Sequence, residues 1–211
     1  MADLAFMADM LQPGEMWNAR YSGEPAVYGT LPNAFFADKL NGMATGRMLL
    51  PGDGEGRNAV HAATCGWSVR SFDAADVGVD KSLALAATRQ VVVEAEVGDC
   101  RTWSPGESFD LIGLFYLHLL PSMRGDFHKR LKDWLKPGGT MLLEGFGPGQ
   151  LDFNSGGPKR PDMLFTAEML QRDFIGLDVV QCETVKVVLD EGPYHQGPAE
   201  VTRLVARRPL A

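Results

Sequence analysis

Cysteine is scarce in this 211-residue chain: Cys65, Cys100 and Cys182, an odd number set far apart. That excludes a disulfide framework, and without CxxC spacing it excludes a thiolate metal site. Such usage fits a reducing compartment, and a cytoplasmic location is expected. Positive charge is also short: 20 Lys and Arg stand against 27 Asp and Glu, a net charge of −7. A broad basic footprint for nucleic acid is therefore excluded. No apolar run approaches the ~20 residues needed to cross a bilayer, so no membrane partner is expected. The opening MADLAFMADML carries two aspartates and no basic residue, unlike a secretory signal. HExxH and paired-histidine spacings are missing, so no metal is expected. Repeats and low-complexity tracts are missing too.

What remains is an ordinary globular composition, 45% hydrophobic and 22% charged. A chain of this length buries a core without staples. One domain over 1–211 is expected, with 1–45 as an N-terminal helical or lid segment and 46–211 as the core. Strand and helix patterns alternate. MLLP, WSVRSFD, VVVEAEVGD, FDLIGLFYLHLL and TMLLEGF read as strands. GRNAVHAATCG, VDKSLALAATRQ (with Asp80 near its start), MRGDFHKRLKDWLKPGG (ended by Pro137, Gly138 and Gly139) and TAEMLQRDFIG (capped by Thr166) read as helices. Asn33 and Phe35 open an earlier helix, with Phe35 in the core. LDVVQCETVKVVLD and AEVTRLVARR read as two long strands in a hairpin. The fold class is α/β: a mostly parallel sheet between helical layers, with an antiparallel hairpin at one edge.

The stretch GRMLLPGDGEGRNAV passes from strand through alternating glycines into a helix, an arrangement suited to an anionic or polar ligand. It lacks the Gly-Lys-Ser/Thr ending of a P-loop. It also departs from the dinucleotide fingerprint GxGxxG, because Arg57 stands where the third glycine belongs. Gly52, Gly54 and Gly56 spell GxGxG instead. Asp73 ends the next strand, where a carboxylate accepts ribose hydroxyls, and Asp99 follows the strand after, placed to border an adenine edge. Alone, each aspartate is equally a cap or a solvated turn.

LLPGDGEGRNA, SFD, GDC, FDLIGLFYLHLL and LKPGGTMLLEGF, in this order, resemble the class I S-adenosylmethionine-dependent methyltransferases. MWNARYSGEPAVYGTLPNAFF, GGPKRPDMLFTAEML and LDEGPYHQGPA extend the likeness over nearly the whole chain, toward the tellurite-resistance and thiopurine-type branch. The resemblance implies a Rossmann-like three-layer sandwich with a seven-stranded sheet, order 3-2-1-4-5-7-6 and strand 7 antiparallel. It implies S-adenosylmethionine as cofactor. Gly52, Gly54 and Gly56 would border its methionine part, Asp73 and Ala74 its ribose, and Asp99 and Cys100 its adenine. Phe115 to His118 would sit beside the methyl group. Asp53 departs from the small neutral residue of many relatives. It would either pair with the cofactor's cationic groups or repel its carboxylate, with Arg57 placed to offset the charge.

Around that frame, Trp17, Arg20, Tyr21 and Tyr28 are candidates for a lid over the cofactor. His118 is a candidate general base or substrate ligand, and Arg124 and Lys159 candidates for anion contact. Glu191 and His195, crowded into a hairpin turn that needs neither, are candidate substrate-pocket residues. The expected activity is methyl transfer to a small molecule, soft or anionic: a chalcogen oxyanion, a thiol or a xenobiotic. A catalytically silent cofactor-binding protein and a nicotinamide-dependent oxidoreductase are the alternatives. The protein is expected to be a monomer or homodimer.

Overall fold

Seven strands form one sheet in the order β3-β2-β1-β4-β5-β7-β6. They are β1 (Arg47–Pro51), β2 (Ser68–Asp73), β3 (Glu94–Val97), β4 (Phe109–Phe115), β5 (Leu135–Phe146), β6 (Asp178–Asp190) and β7 (Gln196–Arg207). The computed structural model describes residues 13–23 and 25–210, so the MADLAFMADML segment lies outside the described residues. Strands β1 to β5 pair in parallel, and β7 runs antiparallel to both β5 and β6. This is the order and orientation expected from the sequence. A dinucleotide-binding sheet has no reversed strand inserted beside its fifth, which counts against the oxidoreductase alternative.

Alternation along the buried strands creates two cores. Leu49, Phe72, Ile112 and Met141 face one helical layer, which supplies Phe127, Leu131, Leu170 and Phe174. Met48, Leu50, Leu111 and Leu142 face the other, which supplies Phe36, Leu40, Ala59 and Val60. Each of the larger side chains, all but Ala59, contributes roughly 1.5–3 kcal/mol by leaving water. The first layer is α5 (Pro121–Trp134) and α6 (Ala167–Asp173). The second is α2 (Ala34–Leu40), α3 (Arg57–Thr64) and α4 (Asp76–Thr88). Helix α1 (Pro13–Ser22) lies against α4. Asn33 caps α2 by accepting from the Phe36 amide, and Thr166 caps α6 by accepting from that of Met169.

Three boundaries differ from the sequence reading. Strand β4 stops at Phe115, because Tyr116 adopts φ +55° and turns the chain out of the sheet. Helix α5 ends at Trp134, and Pro137, Gly138 and Gly139 belong to the irregular start of β5 rather than to the helix stop. Helix α4 begins at Asp76, ahead of Asp80. Its first turn is fixed by Asn18 of α1, whose Oδ1 accepts the Val77 amide at 3.1 Å.

Candidate active site

The glycine loop, Asp73, Asp99 and the Phe115–His118 turn lie at the C-terminal ends of β1, β2, β3 and β4, where ligands of open α/β sheets bind. After β1 the chain turns through Gly52, Gly54 and Gly56, all at positive φ. Two of these explain themselves by close approach. A Cβ on Gly56 would overlap Ser82 on α4, so Gly56 lets α3 and α4 close together. A Cβ on Gly54 would stand 2.5 Å from the Tyr21 hydroxyl, so the lid tyrosine lies on the loop. Helix packing therefore falls to Gly56. Arg57 points away, to Leu31 O and to Glu191.

Asp73 is buried at the end of β2. Its Oδ2 accepts the Gly54 amide and its Oδ1 the Ala75 amide, both at 2.9 Å. Burial raises its pKa, and the Ala75, Gly54 and Ala74 amides pull it part of the way back. Each oxygen retains a lone pair for a further donor. Beside it runs a groove of about 540 Å³ bordered by Gly14, Asn18, Ala74, Asp99, Thr102 and Trp103. Asp99 edges this groove with its carboxylate held by Arg101. Cys100 packs against the core below, and burial pushes its thiol up to about 12, so it is a filler rather than a nucleophile.

Asp53 is half-buried, and its Oδ2 accepts the Ala59 amide at 3.1 Å. Desolvation, aided by Asp73 and opposed by Arg57, pushes its pKa up to about 7. The expected charge offset by Arg57 is thus partial, because the guanidinium is committed to Glu191. Since the folded-state pKa lies above the ordinary 3.8, the folded chain holds this proton longer, and stability falls as pH rises from about 4 through 7. Asp53→Asn is expected to raise the melting temperature at pH 8, by on the order of 2–4 kcal/mol in stability. The gain should shrink steadily toward pH 4. A gain equal at pH 5 and pH 8 would show that the carboxyl group is not strained by burial.

The aromatic residues expected to form a lid pack together. Trp17 stacks on Tyr21 at 5.6 Å and lies 6.4 Å from Tyr28. Glu55 ties them down, accepting the Val27 amide at 2.7 Å and pairing with Lys81 at 2.8 Å. Gly29 and Gly192 bring the lid against the β6–β7 turn backbone to backbone; a Cβ on Gly192 would overlap the Gly29 amide. Arg20 lies over the Tyr194 ring at 4.3 Å.

Behind the lid is a buried polar network. Arg57 pairs with Glu191 at 2.9 Å, and Glu191 meets His195 Nδ1 at 3.3 Å. The Asn33 amide group donates to Glu144 Oε1 at 2.6 Å and to Glu191 Oε1 at 3.1 Å. Glu144 also pairs with Arg203 at 2.6 Å and accepts from Tyr116 Oη at 3.1 Å. Asn33, Arg57, Tyr116, Glu144 and Arg203 had no place in this network from sequence. The one visible signal was a glutamate, Glu144, inside the apolar strand TMLLEGF.

Other candidates lie elsewhere. His118 donates from Nδ1 to Met163 O and accepts the Phe146 amide at Nε2. Burial between Phe146 and Phe165 pushes it down to about 4. With both nitrogens used by backbone it fastens the turn after β4, which corrects its assignment as a base. Phe115 packs into the core on Phe36, and Leu117, two residues on, packs on Gly52. Arg124 is bound to Asp173, joining α5 to α6. Lys159 donates to Phe153 O within its own loop. Among the described residues no cluster could hold a metal ion, and no helix is long and apolar enough to cross a membrane.

Residues 49–139 match a family described as a methyltransferase domain. The span holds the glycine loop, Asp73, Asp99 and the whole turn after β4. The matched segment, under half of the chain, is similar to a methyltransferase domain. The chain is 31% identical over 134 residues to an Arabidopsis thaliana protein named probable thiol methyltransferase 2, covering 62% of this chain and 53% of that protein. It thus spans about half the length of the curated relative it matches. A solved structure described as "Conversion of a Disulfide Bond into a Thioacetal Group during Echinomycin Biosynthesis" superposes with TM-score 0.78 at 18% identity, over 94% of this chain and 92% of that one. TehB from Haemophilus influenzae superposes with TM-score 0.71 at 14% identity, over 93% and 67%. At these identities the two structures bear on the fold of the methyltransferase domain and not on its acceptor. A solved structure described as the glycopeptide N-methyltransferase MtfA complexed with S-adenosyl-L-methionine superposes with TM-score 0.61 at 14% identity, over 87% of this chain and 97% of that one.

Proposed function

We propose that the protein transfers the methyl group of S-adenosylmethionine to a small-molecule thiol. The observation that carries the donor site is Asp73: a buried carboxylate that accepts the Gly54 amide of the glycine loop and directly precedes Ala74 on the groove, with a lone pair left on each oxygen. It would hold the ribose, with Ala74, Asp99 and Trp103 around the base. Asp53, Gly54 and Tyr21 would border the amino-acid end, and Trp17, Tyr21 and Tyr28 would exclude water. When bound, the donor supplies an electrophilic methyl, so the protein's task is alignment and dryness.

The acceptor reading rests on the name of the curated relative and on the charges of the inner wall. Arg57, Arg203 and Lys81 are each paired with a carboxylate: Glu191, Glu144 and Glu55. An oxyanion entering here would have to break a buried pair, whereas a neutral thiol against Tyr28, Tyr116 and Phe146 would not. Calorimetric titration tests the donor site. Saturable binding of S-adenosylmethionine and S-adenosylhomocysteine, with none of NADH, is expected. NADH binding in their place would overturn it.

A further inference from the structure

Methylation of a neutral thiol leaves one proton to be placed. Resting on the reading above, we propose that His195 Nε2 takes that proton and that Glu191 positions the imidazole.

Of the four histidines, His195 has the arrangement a base needs. It is 5% exposed. Its Nδ1 faces Glu191 Oε2 at 3.3 Å, and a carboxylate only accepts, so Nδ1 carries the hydrogen and Nε2 the lone pair. That Nε2 makes no hydrogen bond with the described residues, and it is not sealed off, unlike His128 Nε2. His118 has both nitrogens occupied. Glu191 cannot swing, because Arg57 and Asn33 hold its two oxygens.

The ring stands where an acceptor would meet the donor site. It lies 4.4 Å from Tyr116, whose neighbour Leu117 packs on Gly52, and 4.5 Å from Tyr28 of the lid. The 147–161 loop reaches it backbone first: a Cβ on Gly156 would stand 3.2 Å from Nε2. Glu191 and Glu144 raise the imidazole pKa, while burial, the largest influence, and Arg57 lower it, so the ring is neutral at pH 7. Tyr28 and Tyr116, the phenols against the ring, are held protonated by burial. A base held below the ordinary imidazole value is nearer in strength to a thiol of pKa about 8.5 than to a hydroxyl, which favours the former as substrate.

The step balances. The S–H proton passes to Nε2, the sulfur lone pair forms the new S–CH3 bond, and the pair of the broken methyl–sulfonium bond stays on the departing thioether. The imidazolium formed is held by Glu191 until solvent takes the proton.

The test compares two thiols: benzyl mercaptan, protonated at neutral pH, and 4-nitrothiophenol, already ionised there. His195→Gln is expected to lower turnover of benzyl mercaptan about 10²-fold or more, to change that of 4-nitrothiophenol less than about threefold, and to leave S-adenosylhomocysteine affinity intact. Equal losses on both thiols, or none on either, would overturn the proposal. So would S-adenosylhomocysteine binding by a wild-type protein that methylates neither thiol, with the donor site left standing. Failure to bind S-adenosylhomocysteine would instead remove the donor reading and this one with it. Nitrogen NMR of the wild-type histidines gives a readout independent of turnover. His195 should show the Nδ1–H tautomer and titrate below the ordinary 6.5, and Glu191→Gln should lower it further. The reverse tautomer would overturn the assignment even if His195→Gln failed to fold.

Discussion

Replacing Arg57 with alanine is expected to destabilise the protein by about 3–5 kcal/mol, because a buried ion pair loses one partner. For a domain of this size that lowers the melting temperature by roughly 6–20 °C. The side chains of Arg57 and Glu191 are 8% and 9% exposed, and the pair is 2.9 Å apart. Without the guanidinium, Glu191 keeps only Asn33 and His195 as donors. Burial pushes its pKa up, but His195 and Arg57 outweigh burial and hold the carboxyl below its ordinary value. In Arg57→Ala the carboxyl would take up a proton at higher pH, so the deficit should shrink as the solution is acidified. Arg57→Leu combined with Glu191→Leu removes both charges and should recover most of the loss, since a packed apolar pair replaces a desolvated one. Urea unfolding of the two single variants and the double variant measures this, with a coupling of about 1–3 kcal/mol expected. A loss below about 1 kcal/mol in Arg57→Ala would put the pair in the class of solvated surface bridges and remove the anchor on which the Glu191–His195 arrangement depends.

The same pair marks where sequence reading stops. The strands were legible because alternation writes itself on the chain: Met48, Leu49 and Leu50 face alternate helical layers, and one strand fixes two cores. The glycine loop and Asp73 were legible because strand, turn and acid are neighbours in sequence. The hairpin turn announced Glu191 and His195 by chemistry a turn does not need. What joins these pieces was not legible. Arg57 and Glu191 are 134 positions apart, and Asn33 and Glu144 are 111 apart. No local pattern says which buried cation will meet which buried acid. His118 failed for a related reason. A histidine at a strand end looks the same on paper whether its nitrogens face a ligand or two backbone groups, and here Met163 and Phe146 supply the backbone. Tyr116 hid inside an apolar run; its φ of +55° is a tertiary consequence, costing on the order of 1–3 kcal/mol that the surrounding contacts sustain.

Asp73→Ala is expected to weaken S-adenosylhomocysteine binding by about 10²-fold or more. In the proposed donor site two charge-assisted hydrogen bonds to ribose hydroxyls would be lost, each worth roughly 1.5–3 kcal/mol. The residue has a second duty that must be separated from the first. Its two oxygens hold the Gly54 and Ala75 amides at 2.9 Å, so alanine also frees the glycine loop. Asp73→Asn divides the two roles. The asparagine oxygen can still accept one amide, and removal of a charge whose pKa burial raises offsets part of what is lost. Its melting temperature should therefore stay near that of the wild type while its affinity falls almost as far as in the alanine variant. The groove bordered by Asp99 and Trp103 is untouched by either change, so adenosine alone, which shares the ribose contacts, should lose as much as the whole product. If adenosine binding survives Asp73→Asn while binding of the whole product does not, the carboxylate reads the amino-acid end and the ribose belongs elsewhere. If both survive, Asp73 is a loop staple, and the donor site loses the residue on which it was built.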